Sequence, residues 1–546
     1  MNAALYERDD RYIRWLLYIG YFAVSIGILL GLFQALDRMN INLYQYVPGL
    51  ESYYQGLTLH GVLNVLVFTF SFSGGFLTFV TMRSLKRPMA SHALTQAQFW
   101  TMLLGTLLAG WKMADNSSTV LFTFYPPLKG HPIFYLGLVF AVISTWCTLA
   151  NIGLTVYQWK QEHPDEIVPL QAFISLVTYI MWGIASVGIA VEVLLLILPW
   201  ALDWVEFTDP QLARTLFWFS GHPIVYFWLL PIYVSWYTML PKQVGGKLLS
   251  DPLTRLSFLI FLVLSLPVGM HHQFTDPGVP AAWKWVHAFL TFGVFFPSVI
   301  TLFSVLAALE IGGRARGGKG LLGWIRALPW DDPSVVAQLL AGIGFMLGGI
   351  TGLVNASYTL NMIIHNTAFV PGHFHLTVGT GVMLSTMGIT YWLIPALTKN
   401  KLWGRPLAVA SSWFWFIGVL IFARGQMAGG LEQMPRRTWM SAATYFVETW
   451  AESHLLTAVG GSLMFIGGLF FFIVLFGTLY LSFEKVEVEM PVADIITKAP
   501  KGPAFVVKRL DLWVGISVLL LVIAYGPFFI TYLSDPWFVA PGFKLW

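Results

Sequence analysis

Of 546 residues, 57% are hydrophobic and only 11% are charged, against about 25% charged in soluble domains. A water-soluble globular fold is therefore excluded. The formal charge of +4 is small for this length and offers no basic face for nucleic acid.

Apolar residues run in unbroken blocks, such as Val193–Leu198 and Val518–Ala524, rather than in two-residue alternation. The spans are therefore expected to be helices, not outer-membrane strands. Hydrophobic runs between charged or Pro/Gly-rich breaks predict about thirteen of them in chain order. They cover residues 13–36, 57–81, 97–112, 132–158, 169–200, 214–240, 255–274, 284–311, 334–359, 367–397, 406–429, 454–483 and 512–533. The chain reads as an all-α integral membrane protein, a single transmembrane catalytic domain over 1–546 with no separate soluble domain and no repeat of fixed period. The first span is too long and too weakly basic-flanked for a cleaved signal peptide, and reads as a retained anchor. The longest polar segment, Glu484–Asp511, reads as a cytoplasmic loop.

With a cytoplasmic N-terminus, 22 of the 31 basic residues fall on the inner side, among them Arg8, Arg83, Lys242, Arg314 and Lys501. This positive-inside bias predicts an odd number of spans and an outer C-terminus at Trp546. Cys147 is the single cysteine. The chain by itself is therefore expected to form no internal disulfide, no cysteine-ligated iron–sulfur cluster and no cysteine-bridged copper centre.

A lone histidine in a span is usually a hydrogen-bonded structural residue, but six of the twelve histidines share one depth. The second, sixth and tenth spans run inward and the seventh runs outward. His60, His222, His373 and His375 thus lie in the first turns below the outer surface, and His271 and His272 lie in the last turn before it. Six imidazoles in hydrocarbon need partners, and neutral imidazole is a good ligand for iron and copper. At 100° per residue, His373 and His375 lie about 200° apart and must serve two neighbouring centres. His271 and His272 share a metal only where the helix end relaxes, which Pro267 and Gly269 favour; with His222 they make a three-imidazole site. His60 then pairs with His373 or His375.

Tyr226 lies four residues after His222 on the same helical face. Tyr233 and Tyr237 continue the stripe about 16 Å inward, and Ser298 and Thr301 share a face of the eighth span. Such a stripe from the metal depth toward the inner surface reads as a proton path.

Four segments carry a resemblance: Thr58-Leu59-His60-Gly61, Gly221-His222-Pro223-Ile224-Val225-Tyr226, His271-His272-Gln273-Phe274 and Val370-Pro371-Gly372-His373-Phe374-His375. Together they resemble the ligand motifs of haem–copper oxidase subunit I, over nearly the whole chain. The resemblance implies two haems and one copper ion. In it, His60 and His375 are the axial ligands of a low-spin haem and His373 the proximal ligand of a high-spin haem. His222, His271 and His272 hold the copper, and Tyr226 is covalently bonded to His222. A-family oxidases carry a glutamate two residues after the sixth-span histidine, where this chain has Ile224. Thirteen spans, the segment Pro126-Pro127-Leu128-Lys129-Gly130 and the tyrosine stripe resemble the B-family, ba-type enzymes instead. That family implies one proton path, here Ser250, Tyr237, Tyr233, Thr301, Ser298 and Tyr226. Arg436 and Arg437 resemble the pair that binds haem propionates, with His365 and Asn366 near them. Asn361 stands where close relatives are expected to carry an acid.

The function this implies is the catalytic subunit of a proton-pumping cytochrome c oxidase in a bacterial or archaeal plasma membrane, reducing O2 to water. Its electrons come from cytochrome c through a binuclear copper centre on a partner subunit II. A nitric oxide reductase shares the histidines, but Tyr226 and the lack of an acid between Gly221 and Tyr237 argue against it. A transporter with buried histidines is the reading from outside redox chemistry.

Overall fold

The computed structural model describes residues 6–444, 447–500 and 508–534; Lys501 and Trp546, used in the orientation argument, lie outside them. Thirteen helices carry the described part of the fold. They are α1 (Glu7–Asp37), α2 (Tyr53–Leu85), α3 (His92–Ala114), α4 (Pro132–Glu162), α5 (Leu170–Ala201), α6 (Pro210–Val244), α7 (Asp251–Leu264), α8 (Ala281–Ala315), α9 (Pro333–Ala356), α10 (Phe369–Thr398), α11 (Arg405–Leu431), α12 (Glu448–Leu481) and α13 (Leu510–Ser534). Their starts follow local chemistry. Asp209 and Asp332 accept hydrogen bonds from the backbone N–H groups two and three residues on, and each precedes a proline at the first helical position, where no N–H is missed. Ser52 and Ser91 cap α2 and α3 in the same way.

Eleven of the thirteen helices are long and apolar enough to cross a membrane, so the expected thirteen spans differ at two places. Helix α3 has 23 residues but carries Gln96, Gln98 and Lys112. Helix α7 has only 14 residues, and the expected crossing at 255–274 ends as a 3-10 turn, Gly269–Gln273. Pro267 is the physical reason, since it offers no N–H and disfavours helical geometry in the residue before it.

Close packing relies on small residues, as expected between helices that lack a hydrophobic drive in lipid. A Cβ on Gly418 of α11 would lie 2.6 Å from the Met464 backbone nitrogen of α12, and one on Gly105 of α3 would lie 2.6 Å from the Gly137 carbonyl of α4. The segment read as a cytoplasmic loop is tied down by a parallel strand pair, Leu248–Ser250 with Ile495–Thr497, which fixes the start of α7. Several helices contain π-turns next to site residues: Leu63–Phe68 after His60, Ser235–Met239 among the tyrosines and His375–Leu384. Such turns are frequent at functional sites.

Candidate metal centres

One cavity of about 950 Å³ is lined by His60, His222, His271, His272, His373 and His375 together. Three of these form a tight group. His222 stands at the break between Pro210–Gly221 and Pro223–Val234, and His271 and His272 sit in the 3-10 turn beyond α7. One ring nitrogen from each lies within 4.8 Å of the others. His222 Nδ1 and His272 Nε2 are 3.4 Å apart, close to the roughly 3.3 Å between two nitrogens bound to one metal at about 2.0–2.1 Å. The turn depends on Gly269, because a Cβ there would overlap the Trp218 carbonyl.

Neighbouring groups decide which nitrogen each ring presents. Thr291 Oγ1 donates to the His287 carbonyl at 2.5 Å, so it accepts from His271 Nδ1 at 2.8 Å and leaves His271 Nε2 with its lone pair. The Trp218 ring stacks on His272, 3.8 Å between centroids. His222 Nε2 is buried without a hydrogen-bond partner among the described residues. Tyr226 is a ring neighbour of His222, at 4.9 Å.

The other three histidines are fixed in the same way. His60 Nδ1 donates to the Gly27 carbonyl at 2.7 Å and His375 Nδ1 to the Pro371 carbonyl at 2.8 Å. Both Nε2 atoms are therefore lone-pair donors. The two rings lie nearly parallel, 16° apart, with centroids 6.3 Å apart. Two bonds of about 2 Å plus roughly 1.1 Å from each nitrogen to its ring centre span this distance, so one metal between the rings fits. His373 turns away: Thr351 Oγ1 donates to the Gly348 carbonyl and accepts from His373 Nδ1 at 2.8 Å, leaving its Nε2 available.

Two loops close one end of the cavity. The backbone N–H of Ala368 donates to the Met434 carbonyl at 2.7 Å, and Ala368, Met434, Met440 and Trp450 form a small separate core. Arg436 and Arg437 both face the cavity, and neither has a carboxylate partner among the described residues. Arg436 Nη2 donates to Asn366 Oδ1 at 2.6 Å. Burial, and then the adjacent Arg437 charge, push the Arg436 guanidinium down to about 9. Two cations held together in this way suit an anionic ligand. His365 donates from Nδ1 to Asn361 Oδ1 at 2.9 Å, and burial followed by the Arg436 charge lowers it to about 4. Asn361 gives its own Nδ2 hydrogen to the Asn355 carbonyl.

Among the predicted hydroxyls, Tyr237 Oη donates to Thr301 Oγ1 at 2.9 Å across α6 and α8, and Tyr233 and Ser298 line the same cavity. Ser250 is not joined to them; it caps α7 by accepting from the Leu253 N–H. Ser257 joins this group: its Oγ donates to the Pro297 carbonyl at 3.1 Å and lies 3.3 Å from Thr301 Oγ1. Its spacing of seven from Ser250, with Thr254 between, is the signal that could have found it.

Fold and site together define an all-helical membrane protein whose core presents imidazoles for more than one metal. A model of the cytochrome c and quinol oxidase polypeptide I family matches residues 11–463. The chain is 44% identical over 547 residues to a cytochrome c oxidase subunit 1 of Thermus thermophilus, covering 97% of this chain and 96% of that one. It is 25% identical over 483 residues to the probable quinol oxidase subunit 1 of Staphylococcus aureus strain USA300, covering 83% and 68%. A solved structure of a haem–copper terminal oxidase dimer superposes with a TM-score of 0.90 at 39% identity, covering 95% of this chain and 92% of that one. The chain belongs to the cytochrome c and quinol oxidase polypeptide I family and is the catalytic subunit of a membrane-bound haem–copper terminal oxidase. Haem and copper are the cofactors of that family, and membership decides against the non-redox transporter.

Proposed function

We propose that the chain, acting as one membrane domain, is the catalytic subunit of a B-family, ba-type cytochrome c oxidase that reduces O2 to water and pumps protons. The observation that carries this reading is the sorting of six histidines in one cavity into a triad, a facing parallel pair and a single ring. His60 and His375 would hold a low-spin haem, His373 a high-spin haem, and His222, His271 and His272 one copper. The orphaned His222 Nε2 beside Tyr226 favours a covalent bond between those two side chains. Arg436 and Arg437, with His365 and Asn366, would receive the haem propionates. When bound, the metals supply electrons and an open position for O2. The protein orients them: the Gly27, Pro371, Thr351 and Thr291 oxygens fix the ring tautomers. Electrons would come from cytochrome c through a binuclear copper on a partner subunit II. The chain would sit in a bacterial or archaeal plasma membrane, and the positive-inside bias favours a cytoplasmic N-terminus and a C-terminus outside. Metal and haem analysis of the purified complex tests the reading. Two haems and one copper per copy of this chain, before counting partners, are expected; iron in place of that copper would favour a nitric oxide reductase.

Protons for the chemistry must cross most of a roughly 30 Å hydrocarbon layer. Tyr237, Thr301, Tyr233 and Ser298, with Ser250 at the inner entrance and Tyr226 at the metal end, would carry them. Ile224 has no carboxyl on which an A-family path could end. Thr301→Val, nearly isosteric but unable to relay a proton, is expected to slow turnover about tenfold or more, as for losses of proton-transfer groups, with haem and copper retained. Tyr226→Phe should be more severe, because it also removes the phenol beside His222. Near-normal O2 consumption by a metal-replete Thr301→Val enzyme would show that protons enter elsewhere.

A further inference from the structure

Glu192 belongs to none of the groups above. It lies in α5, is fully buried, and neither carboxyl oxygen has a hydrogen-bond partner among the described residues. It also opens the π-turn Glu192–Ile197, a local distortion of the kind that clusters at functional sites. An acidic side chain inside a membrane span is a functional feature by default, and such groups commonly serve in proton relays. Without a counter-charge, an ionised carboxylate is strongly disfavoured there. The resting form is then the neutral acid, which has a proton to give.

Its surroundings lead two ways. One helical turn back, the Ile189 N–H donates to Ser220 Oγ at 2.7 Å, and Ser220 donates to the Ala185 carbonyl at 2.6 Å. Ile189 and Ser220 line the histidine cavity, Ser220 is two residues before His222, and Glu192 follows Ile189 by about one turn, roughly 5 Å along the axis of α5. In the other direction, the π-turn that Glu192 opens packs against α4, and the Tyr135 phenol of α4 lies within electrostatic range of the carboxyl. Tyr135 is fully buried in the first turn of α4. Its Oη accepts from the Gly130 N–H at 2.9 Å, which leaves the phenolic hydrogen free to be passed on. The neighbouring His131 N–H donates to Ser118 Oγ at 3.0 Å, in the loop that the charge bias puts outside.

We propose that Glu192 and Tyr135 form a proton site between the histidine cavity and the outer loop at Gly130–His131, a route by which protons leave the enzyme. Resting on the terminal-oxidase reading, it adds an exit to that reading's entry path. Glu192 gives its carboxyl proton to Tyr135 Oη through a bridging water while the phenol passes its own proton to solvent water at the outer loop. The carboxylate left behind is reprotonated from the cavity side, and no electrons move through either group.

The test uses the whole complex in liposomes with cytochrome c as donor, and the same complex labelled with carboxyl-13C glutamate for redox-difference infrared spectroscopy. In the wild type, a carboxylic C=O band that shifts with the label is expected, and its loss in Glu192→Gln separates Glu192 from other labelled carboxyls. Glu192→Gln, which keeps the shape of the neutral acid, should lose that band while holding haem and copper. Protons released outside per electron should fall measurably below the wild-type value in this variant, as expected on losing an intramembrane relay carboxyl. Tyr135→Phe should shift the band. A wild-type spectrum with no labelled carboxylic band overturns the proposal whether or not any variant assembles; so does a band that survives Glu192→Gln, or wild-type proton release by that variant. A wild-type complex without haem, copper or O2 uptake would instead sink the terminal-oxidase reading itself.

Discussion

Replacing His271 or His272 by alanine is expected to strip the copper from the enzyme and lower O2 reduction at least about 100-fold, while the haem content stays at its wild-type value. Changes outside the ligand shell alone typically cost about 10–100-fold in metal affinity or activity, so loss of a ligand should reach at least the upper figure. The geometry leaves no substitute. The three ring nitrogens lie within 4.8 Å of one another; Thr291 is committed to His271 Nδ1 and the His287 carbonyl, and the Trp218 face that covers His272 offers no lone pair. The histidines proposed for the haems are held by separate partners, His60 by Gly27, His375 by Pro371 and His373 by Thr351, so the haems should remain. Copper and haem determined on the same preparation decide the matter. Full copper in both variants would remove these residues from the ligand set.

His60→Ala and His375→Ala should each abolish the low-spin haem signal in reduced-minus-oxidised spectra and stop O2 uptake driven by cytochrome c. A six-coordinate iron held by His60 and His375 would need both imidazoles, and each ring has its Nε2 lone pair left for it. His60 is held from α1 through the Gly27 carbonyl, and His375 from within α10 through Pro371. With either ring gone, the 6.3 Å gap between centroids closes around one ligand only. A normal low-spin spectrum in both variants would sink the assignment and return His60 to the choice between His373 and His375 that spacing leaves open.

The membrane class, the helical architecture and the residues that converge on the cavity were all legible in the sequence. Hydrophobic runs of about 20 residues can satisfy their backbones in lipid only as helices or closed barrels. Depth along such spans is set by the 1.5 Å rise per residue, which is why six histidines from four spans could be assigned one level before any packing was known. Spacing also separated His373 from His375 and grouped His222 with His271 and His272, whose rings the fold brings together. Three things needed the tertiary structure. Helix α7 stops at Leu264 and the expected crossing ends as the turn Gly269–Gln273: Pro267 says that a helix is broken there, but where the chain goes afterwards depends on what packs against it. The nitrogen that each ring presents depends on whether a carbonyl or an already committed threonine hydroxyl sits beside it, and those partners come from α1, α8 and α9, far away in the chain. Ser257 follows Ser250 at a helical spacing and Glu192 is an acid in an apolar run, but neither feature by itself says what the side chain meets. Their significance arises from the distance to Thr301 in one case and the lack of any partner in the other, and both are properties of packed helices rather than of the order of residues.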